Sequence, residues 1–261
     1  MNPAADIART AAEVAGRIIL EAAGPGHATD KGLPGDYVTQ VDLAAERAIA
    51  QVLEERSPGV PMLGEESGRS GDLGSLYWVV DPLDGTTNFL HGFPVVGVSV
   101  ALVQGDAPVA GAIHTPFLSQ TYVAGVGEGA WLTTGSSKSR RLRVSDREPS
   151  RALVATGFPF RRKDRLPRYL RALTGALERF EDLRRPGAAS LDLAWTGAGV
   201  FDGFFELGLA PWDVAAGGLI IQEAGGMVTD WNGGTRWLDG DILAGSPAVH
   251  AELLAIARET A

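Results

Sequence analysis

Cysteine is absent from the chain. That excludes disulfide cross-links, thiolate nucleophiles and thiolate-bound zinc, and it suits a reducing compartment, so a cytoplasmic location is the expectation. Histidine is scarce: His27, His91, His114 and His250 are scattered, without the HExxH spacing of a zinc hydrolase, and read as surface or structural residues. Long apolar runs are missing too. The longest, Val95 to Val103, falls far short of the roughly 20 residues that cross a bilayer, so no membrane partner is expected. The opening stretch MNPAADIARTAAEVAGRIILEAAG is interrupted by Asp6, Arg9, Glu13, Arg17 and Glu21. It reads as a soluble amphipathic helix with Ile7, Ala11, Val14 and Ile18 on its apolar face, rather than as a signal peptide. Positive charge is in deficit, with 23 Lys plus Arg against 32 Asp plus Glu. The resulting net charge of −9 argues against a nucleic-acid partner and leaves carboxylates free for metal work. An anionic substrate then needs a cation or a local positive site. Neither a GxSxG elbow nor a Walker A loop occurs.

What is present suits a globular protein: 261 residues, 45% of them hydrophobic, can bury a substantial core. After the first helix come the Gly/Pro-rich GPGHATDKGLPGD, the short run Tyr37 to Val41, and a second helical pattern from Leu43 to Arg56. From Trp78 to Val144 the runs VVGVSVALV, PVAGAIHTP, QTYVAGV, AWLTTG and RLRVS, separated by Gly, Pro and Asp, predict an antiparallel sheet. The polar stretch Ser145 to Pro149 is the expected boundary between an α+β part, 1–148, and an α/β part, 149–261. In the second part, strands at 152–156, 203–207 and 226–229 alternate with helical patterns at 166–180, 190–199 and 214–224. A final helix is expected from about residue 248.

Chemistry concentrates in Asp81 to Phe89, DPLDGTTNF, which follows the strand-like Tyr77 to Val80. Taken alone, Pro82 and Asp84-Gly85 make a turn the simpler reading. A covalent aspartyl-phosphatase signature, D-x-D-G-T, fits poorly because one extra residue separates the acids. The GxGxxA match at 125–130 is followed by strand-like residues, where a dinucleotide fingerprint must open a helix, so a hairpin is expected there. A hard divalent cation takes oxygen ligands, and a DxxD corner can hold one if other acids converge on it. The candidates are Glu65 in GEES, Asp213 in PWD, and Asp36 and Asp42 around Tyr37 to Val41. Each also has a plain reading: a solvated loop pair for Glu65 and Glu66, and a helix cap for Asp213 or Asp42.

In combination, GEES (64–67), DPLDGTTNF (81–89) and PWDVAAGGLIIQEAGG (211–226) closely resemble the inositol monophosphatase family of Mg²⁺-dependent phosphatases. Lys31, DYVTQVD (36–42), GFPF (157–160), RRPGAAS (184–190) and FDGFFE (201–206) extend the resemblance in family order from residue 31 to about 230. It implies a mixed α+β and α/β fold, a layered α/β/α/β/α sandwich of the sugar-phosphatase type. By the same resemblance, Glu65, Asp81 and the Leu83 carbonyl bind one Mg²⁺, and Asp81, Asp84 and Asp213 bind another. Two or three ions are implied, with Mn²⁺ or Ca²⁺ as substitutes in crystals. Thr86 and Asp42 assist a metal-activated water, with Glu65 and Asp213 in the catalytic set, and Gly85 and Thr86 present backbone N–H groups to the phosphate. Gly187, Ala188, Ala189 and Glu206 line the polyol. Ala188 stands where many members have Thr, and Ala210 where some have His, which removes polar contacts near the polyol. Lys31 either balances the acids or is solvated charge. The implied protein is a lithium-sensitive homodimer acting on a small phosphate monoester, inositol monophosphate first. Histidinol phosphate, fructose 1,6-bisphosphate, a 3′-phosphonucleotide, or a non-catalytic regulatory role are the alternatives.

Overall fold

The computed structural model describes residues 2–22, 28–30 and 37–260. His27, Lys31 and Asp36 lie outside the described residues. The first helix, α1 (Pro3–Glu21), starts with Pro at its first position, and Asn2 caps it by accepting from Ala4 N at 2.9 Å. Its buried face differs from the expected one. Ala5, Ala8, Ala12, Ala15 and Ile19 point inward with Ala11, while Ile7, Val14 and Ile18 flank them, because small side chains let the helix lie close to the sheet. A β-carbon on Gly16 would stand 2.3 Å from His114. Two short strands, β1 (Ala28–Asp30) and β2 (Tyr37–Thr39), pair antiparallel and lead into α2 (Gln40–Arg56). This helix begins three residues earlier than its apolar pattern suggests, since Thr39 caps it.

The larger sheet contains β3 (Met62–Gly64), β4 (Gly68–Arg69), β5 (Leu76–Asp84), β6 (Gly97–Gln104), β7 (Ala107–Thr115), β8 (Gln120–Gly125), β9 (Gly129–Thr134) and β10 (Arg140–Arg141). Its order is β10-β9-β8-β7-β6-β5-β3-β4, antiparallel except where β3 runs parallel to β5. The expected hairpin at 125–130 joins β8 to β9. Only Arg140 and Arg141 form the last strand, less than the RLRVS run predicts. The smaller sheet, in the order β12-β11-β13-β15-β14, is built from β11 (Leu153–Thr156), β12 (Asp182–Arg184), β13 (Gly203–Glu206), β14 (Met227–Thr229) and β15 (Ile242–Gly245). Parallel pairs β11·β12 and β11·β13 sit beside antiparallel β13·β15 and β14·β15.

Five layers follow from the way strand residues alternate between faces. Trp78 and Val80 of β5 and Val98, Val100 and Leu102 of β6 pack on α1 and α2. Val79, Ala101 and Val103 face the other way, toward α5 (Ala189–Gly197) and α6 (Pro211–Glu223). Those two helices also meet the smaller sheet through Leu193, Val214 and Ile221 against Ala155, Phe204 and Ile242. Val154, Phe205 and Leu243 on its far face are covered by α4 (Leu166–Arg179) and α7 (Pro247–Glu259). The sandwich is therefore α/β/α/β/α. As the central layer, α6 is apolar on nearly every side, as expected of a helix enclosed between sheets. It begins at Pro211, three residues before the apolar run, and this brings Asp213 into its first turn.

The close approach of α5 and α6 yields a stability prediction. A β-carbon on Gly217 would lie 2.4 Å from Leu193 Cβ. Gly217→Ala should cost about 1–3 kcal/mol by overpacking, read as a lower urea midpoint; an unchanged midpoint would contradict the packing described.

Candidate active site

The strand β5 does not end at Asp81. Its ladder to β6 is interrupted between Asp81 and Asp84, then closes again at Asp84 opposite Gly97, so the DxxD corner is a bulge inside a strand. The Leu83 amide donates to Asp81 Oδ1 at 3.0 Å. Gly85 follows with φ of 89°, a left-handed conformation that suits glycine, and opens the short helix α3 (Thr86–Leu90). Its space is limited as well, because a β-carbon there would lie 2.9 Å from Val95 O and 3.3 Å from Ala188 Cβ. The expected turn chemistry thus produces a strand-to-helix corner.

Asp81, Asp84 and Asp213 each offer a carboxylate oxygen within 4.8 Å of the others. Ser190, at the start of α5, fixes Asp84 through its amide at 2.7 Å and its hydroxyl at 2.6 Å, both to Oδ2. The plain reading of Asp213 also holds: its Oδ2 accepts from Ala210 N at 2.7 Å and closes the start of α6. Asp42 likewise caps α2, with Oδ2 accepting from the amide of Thr39 at 2.8 Å and from its hydroxyl. Its other oxygen, Oδ1, is 3.2 Å from Thr86 Oγ1, which also lies 3.1 Å from Leu83 O. Glu65 lines the same cleft and lies near enough to raise the pKa of Asp81, while the oxygens that meet within 4.8 Å are those of the three aspartates.

Burial and like charge push Asp42, Asp81, Asp84 and Asp213 upward in pKa. Asp81 is raised well above the ordinary range by burial, then by Glu65, Asp84 and Asp213. Burial raises Asp84 to about 6 against the pull of Ser190. Burial, then Asp84 and Glu65, raise Asp213 to about 8. Asp42 is raised by burial and held back by Thr39. Crowded, desolvated oxygens of this kind are costly when charged, and the set of carboxylates plus the Leu83 carbonyl fits a hard divalent cation.

The cluster lines a cleft of about 690 Å³. Gly187, Ala188, Ala189 and Glu206, expected along the substrate, line the same cleft. Glu206 at the end of β13 is 8% exposed, and a β-carbon on Gly157 would strike its carboxylate at 2.0 Å, so GFPF opens with glycine to leave room for this acid. Burial and then Asp213 raise its pKa strongly. Several lining residues carry no role that the motifs imply. Arg185 stacks over Phe158 and Phe160, 5.4 and 5.3 Å from their ring centres. Asp192 is 1% exposed, and among the described residues its Oδ1 has no hydrogen-bond partner. An aspartate inside the apolar run SLDLAW was the available signal.

A sequence model of the inositol monophosphatase family matches residues 1–261. The chain belongs to that family. The inositol monophosphatase fold recurs in solved relatives: the extragenic suppressor protein suhB from Bartonella henselae aligns with a TM-score of 0.89 at 38% identity, covering 97% of this chain and 98% of that one. The inositol monophosphatase from Anabaena (Nostoc) sp. PCC 7120 aligns at 0.84 and 32% identity, covering 97% and 94%. In sequence, the Nus factor SuhB of Escherichia coli (strain K12) is 41% identical over 266 residues, covering 99% of this chain and 97% of that protein. Among the described residues, no helix is long and apolar enough to cross a membrane.

The raised acids predict a pH dependence for the cation-free protein. Asp84 and Asp213 bind a proton more tightly folded than unfolded, so their stabilisation is full below the ordinary value of 3.8 and is lost as pH rises through about 6 and then about 8. With EDTA present, the thermal midpoint should fall between pH 5 and pH 9, and added Mg²⁺ should raise it more at the alkaline end. A midpoint that rises with pH would contradict the electrostatics.

Proposed function

We propose that the protein is a Mg²⁺-dependent phosphomonoesterase that hydrolyses inositol monophosphate to inositol and phosphate. The observation that carries this is the convergence of Asp81, Asp84 and Asp213 within 4.8 Å, in a cleft that also holds Thr86, Gly85 and Glu206. Glu65, Asp81, the Leu83 carbonyl, Asp84 and Asp213 would hold two ions, with a third compatible with the family resemblance. When bound, such ions supply Lewis acidity, which lowers the pKa of water and neutralises charge on the phosphoryl oxygens.

The chain's own groups take the remaining roles. Thr86 has one hydroxyl proton, which it donates to Asp42 Oδ1; its lone pairs then accept from a water and aim that water's oxygen at phosphorus. Asp42, pinned by Thr39, cannot swing away from Thr86. Backbone N–H groups at the start of α3 bind the phosphate, where the helix end favours negative charge. Asp213, which caps α6 through Oδ2, also orients the water that protonates the leaving oxygen. Glu206 accepts from a hydroxyl of the alcohol, in a pocket where Gly187 to Ala189 form the wall. Ala188 lines the cleft without the hydroxyl that Thr supplies in many members of the family, which supports a binding mode looser than strict recognition of one inositol isomer. In this reading residues 1–148 carry most of the metal ligands, residues 149–261 carry the polyol side, and the working form is a homodimer.

A phosphomonoester panel tests the proposal. Inositol 1-phosphate should release phosphate with Mg²⁺, lose turnover with EDTA and be inhibited by Li⁺. Asp84→Asn should abolish turnover with an unchanged circular-dichroism spectrum. Full activity in that variant would refute the assignment, and no turnover on any ester would favour a regulatory binding protein.

A further inference from the structure

Glu46 lies one helical turn beyond Asp42 on α2 and, like it, is buried, at 5% exposure. Four residues apart, both acids project from the same face of the helix. Glu46 makes two contacts that bracket the loop after β3. Its Oε2 accepts from Glu66 N at 2.9 Å, and its Oε1 accepts from Ser67 N at 2.9 Å. Immediately before these amides stands Glu65, whose own amide donates to Val80 O at 3.1 Å on β5. Gly64 completes the arrangement: a β-carbon there would lie 2.5 Å from Glu46 Oε2 and 2.8 Å from Cδ. Glycine at 64 therefore keeps open the space that the Glu46 carboxylate fills.

We propose that Glu46 is a positioning residue whose carboxylate clamps the 65–67 backbone and so directs the Glu65 side chain at Asp81. The proposal rests on the cation reading given above. Glu65 is tied on one side to the strand that carries Asp81 and on the other to the helix that carries Asp42. One face of α2 thereby sets two parts of the site together: Asp42 holds Thr86, and Glu46 holds the loop of Glu65. A carboxylate suits this task because both of its oxygens accept. Glutamine would offer one acceptor and turn an N–H₂ group toward the other amide, leaving a donor facing a donor. Neither contact involves substrate, so the effect is transmitted through Glu65.

The test compares wild type, Glu46→Gln, Gly64→Ala and Glu65→Gln by calorimetric titration with Mg²⁺ alone, beside phosphate release at varied Mg²⁺ and varied ester. Gly64→Ala retains the acid and both amides but displaces the carboxylate, so it carries the test if Glu46→Gln does not fold. Both Glu46→Gln and Gly64→Ala should weaken Mg²⁺ binding roughly 10- to 100-fold, the usual effect of losing a group that orients a metal ligand. At saturating Mg²⁺ the KM for ester should match wild type and kcat should recover. Unchanged Mg²⁺ affinity in the folded variants, with Glu65→Gln weakened, would overturn the proposal, even if their unfolding temperature falls. A wild-type protein that takes up no Mg²⁺ would remove the cation reading, and this proposal with it.

Discussion

The arrangement turns on mutual repulsion among crowded acids, of which Asp81 is fully buried and the others partly so. Asp81, Asp84 and Asp213 come from two separate elements and Glu65 from the loop after β3, yet they are brought so close that Glu65 raises the pKa of all three aspartates, Asp84 adds to the rise at Asp81 and Asp213, and Asp213 adds to that at Asp81. No chain gathers such groups without compensation. Part of it is internal: Ser190 bonds Asp84, the Leu83 amide bonds Asp81, and the start of α6 accommodates Asp213. Those contacts fix one oxygen of each carboxylate against the protein, and the remaining capacity points to a hard cation.

The layered fold is what permits this crowding. A central helical layer enclosed by two sheets brings the first turns of α5 and α6 to the C-terminal end of β5 in the larger sheet, where the bulge presents Asp81 and Asp84. Helix starts carry partial positive charge, which moderates the acids and suits a phosphate beside them. On the opposite face α2 supplies Asp42. The cleft is consequently lined by acids from β5, α6 and the loop of Glu65, together with Gly187 to Ala189, Glu206 and the Arg185–phenylalanine stack.

Much of this was legible in the residues. Short runs separated by Gly, Pro and Asp predict the strands of the larger sheet, and the family resemblance of the acidic motifs supplies the ligand candidates, of which Asp81, Asp84 and Asp213 converge. Harder to read was the corner itself. Pro82 and Asp84-Gly85 carry the composition of a turn, and only the renewed pairing of Asp84 with Gly97 reveals a strand that continues. The buried face of α1 is not the one its large apolar residues suggest, because the sheet accepts alanines at closer range. Short strands such as β12 and β15 have too few residues for a pattern. Glu46 and Asp192 look like ordinary helix acids until the tertiary structure buries them.

Crystals soaked in Mn²⁺ and measured at its absorption edge test the central claim most directly. Strong anomalous density should stand among Asp81, Asp84 and Asp213, beside Glu65 and the Leu83 carbonyl. Density confined to other acids on the surface, with none in that corner, would contradict it.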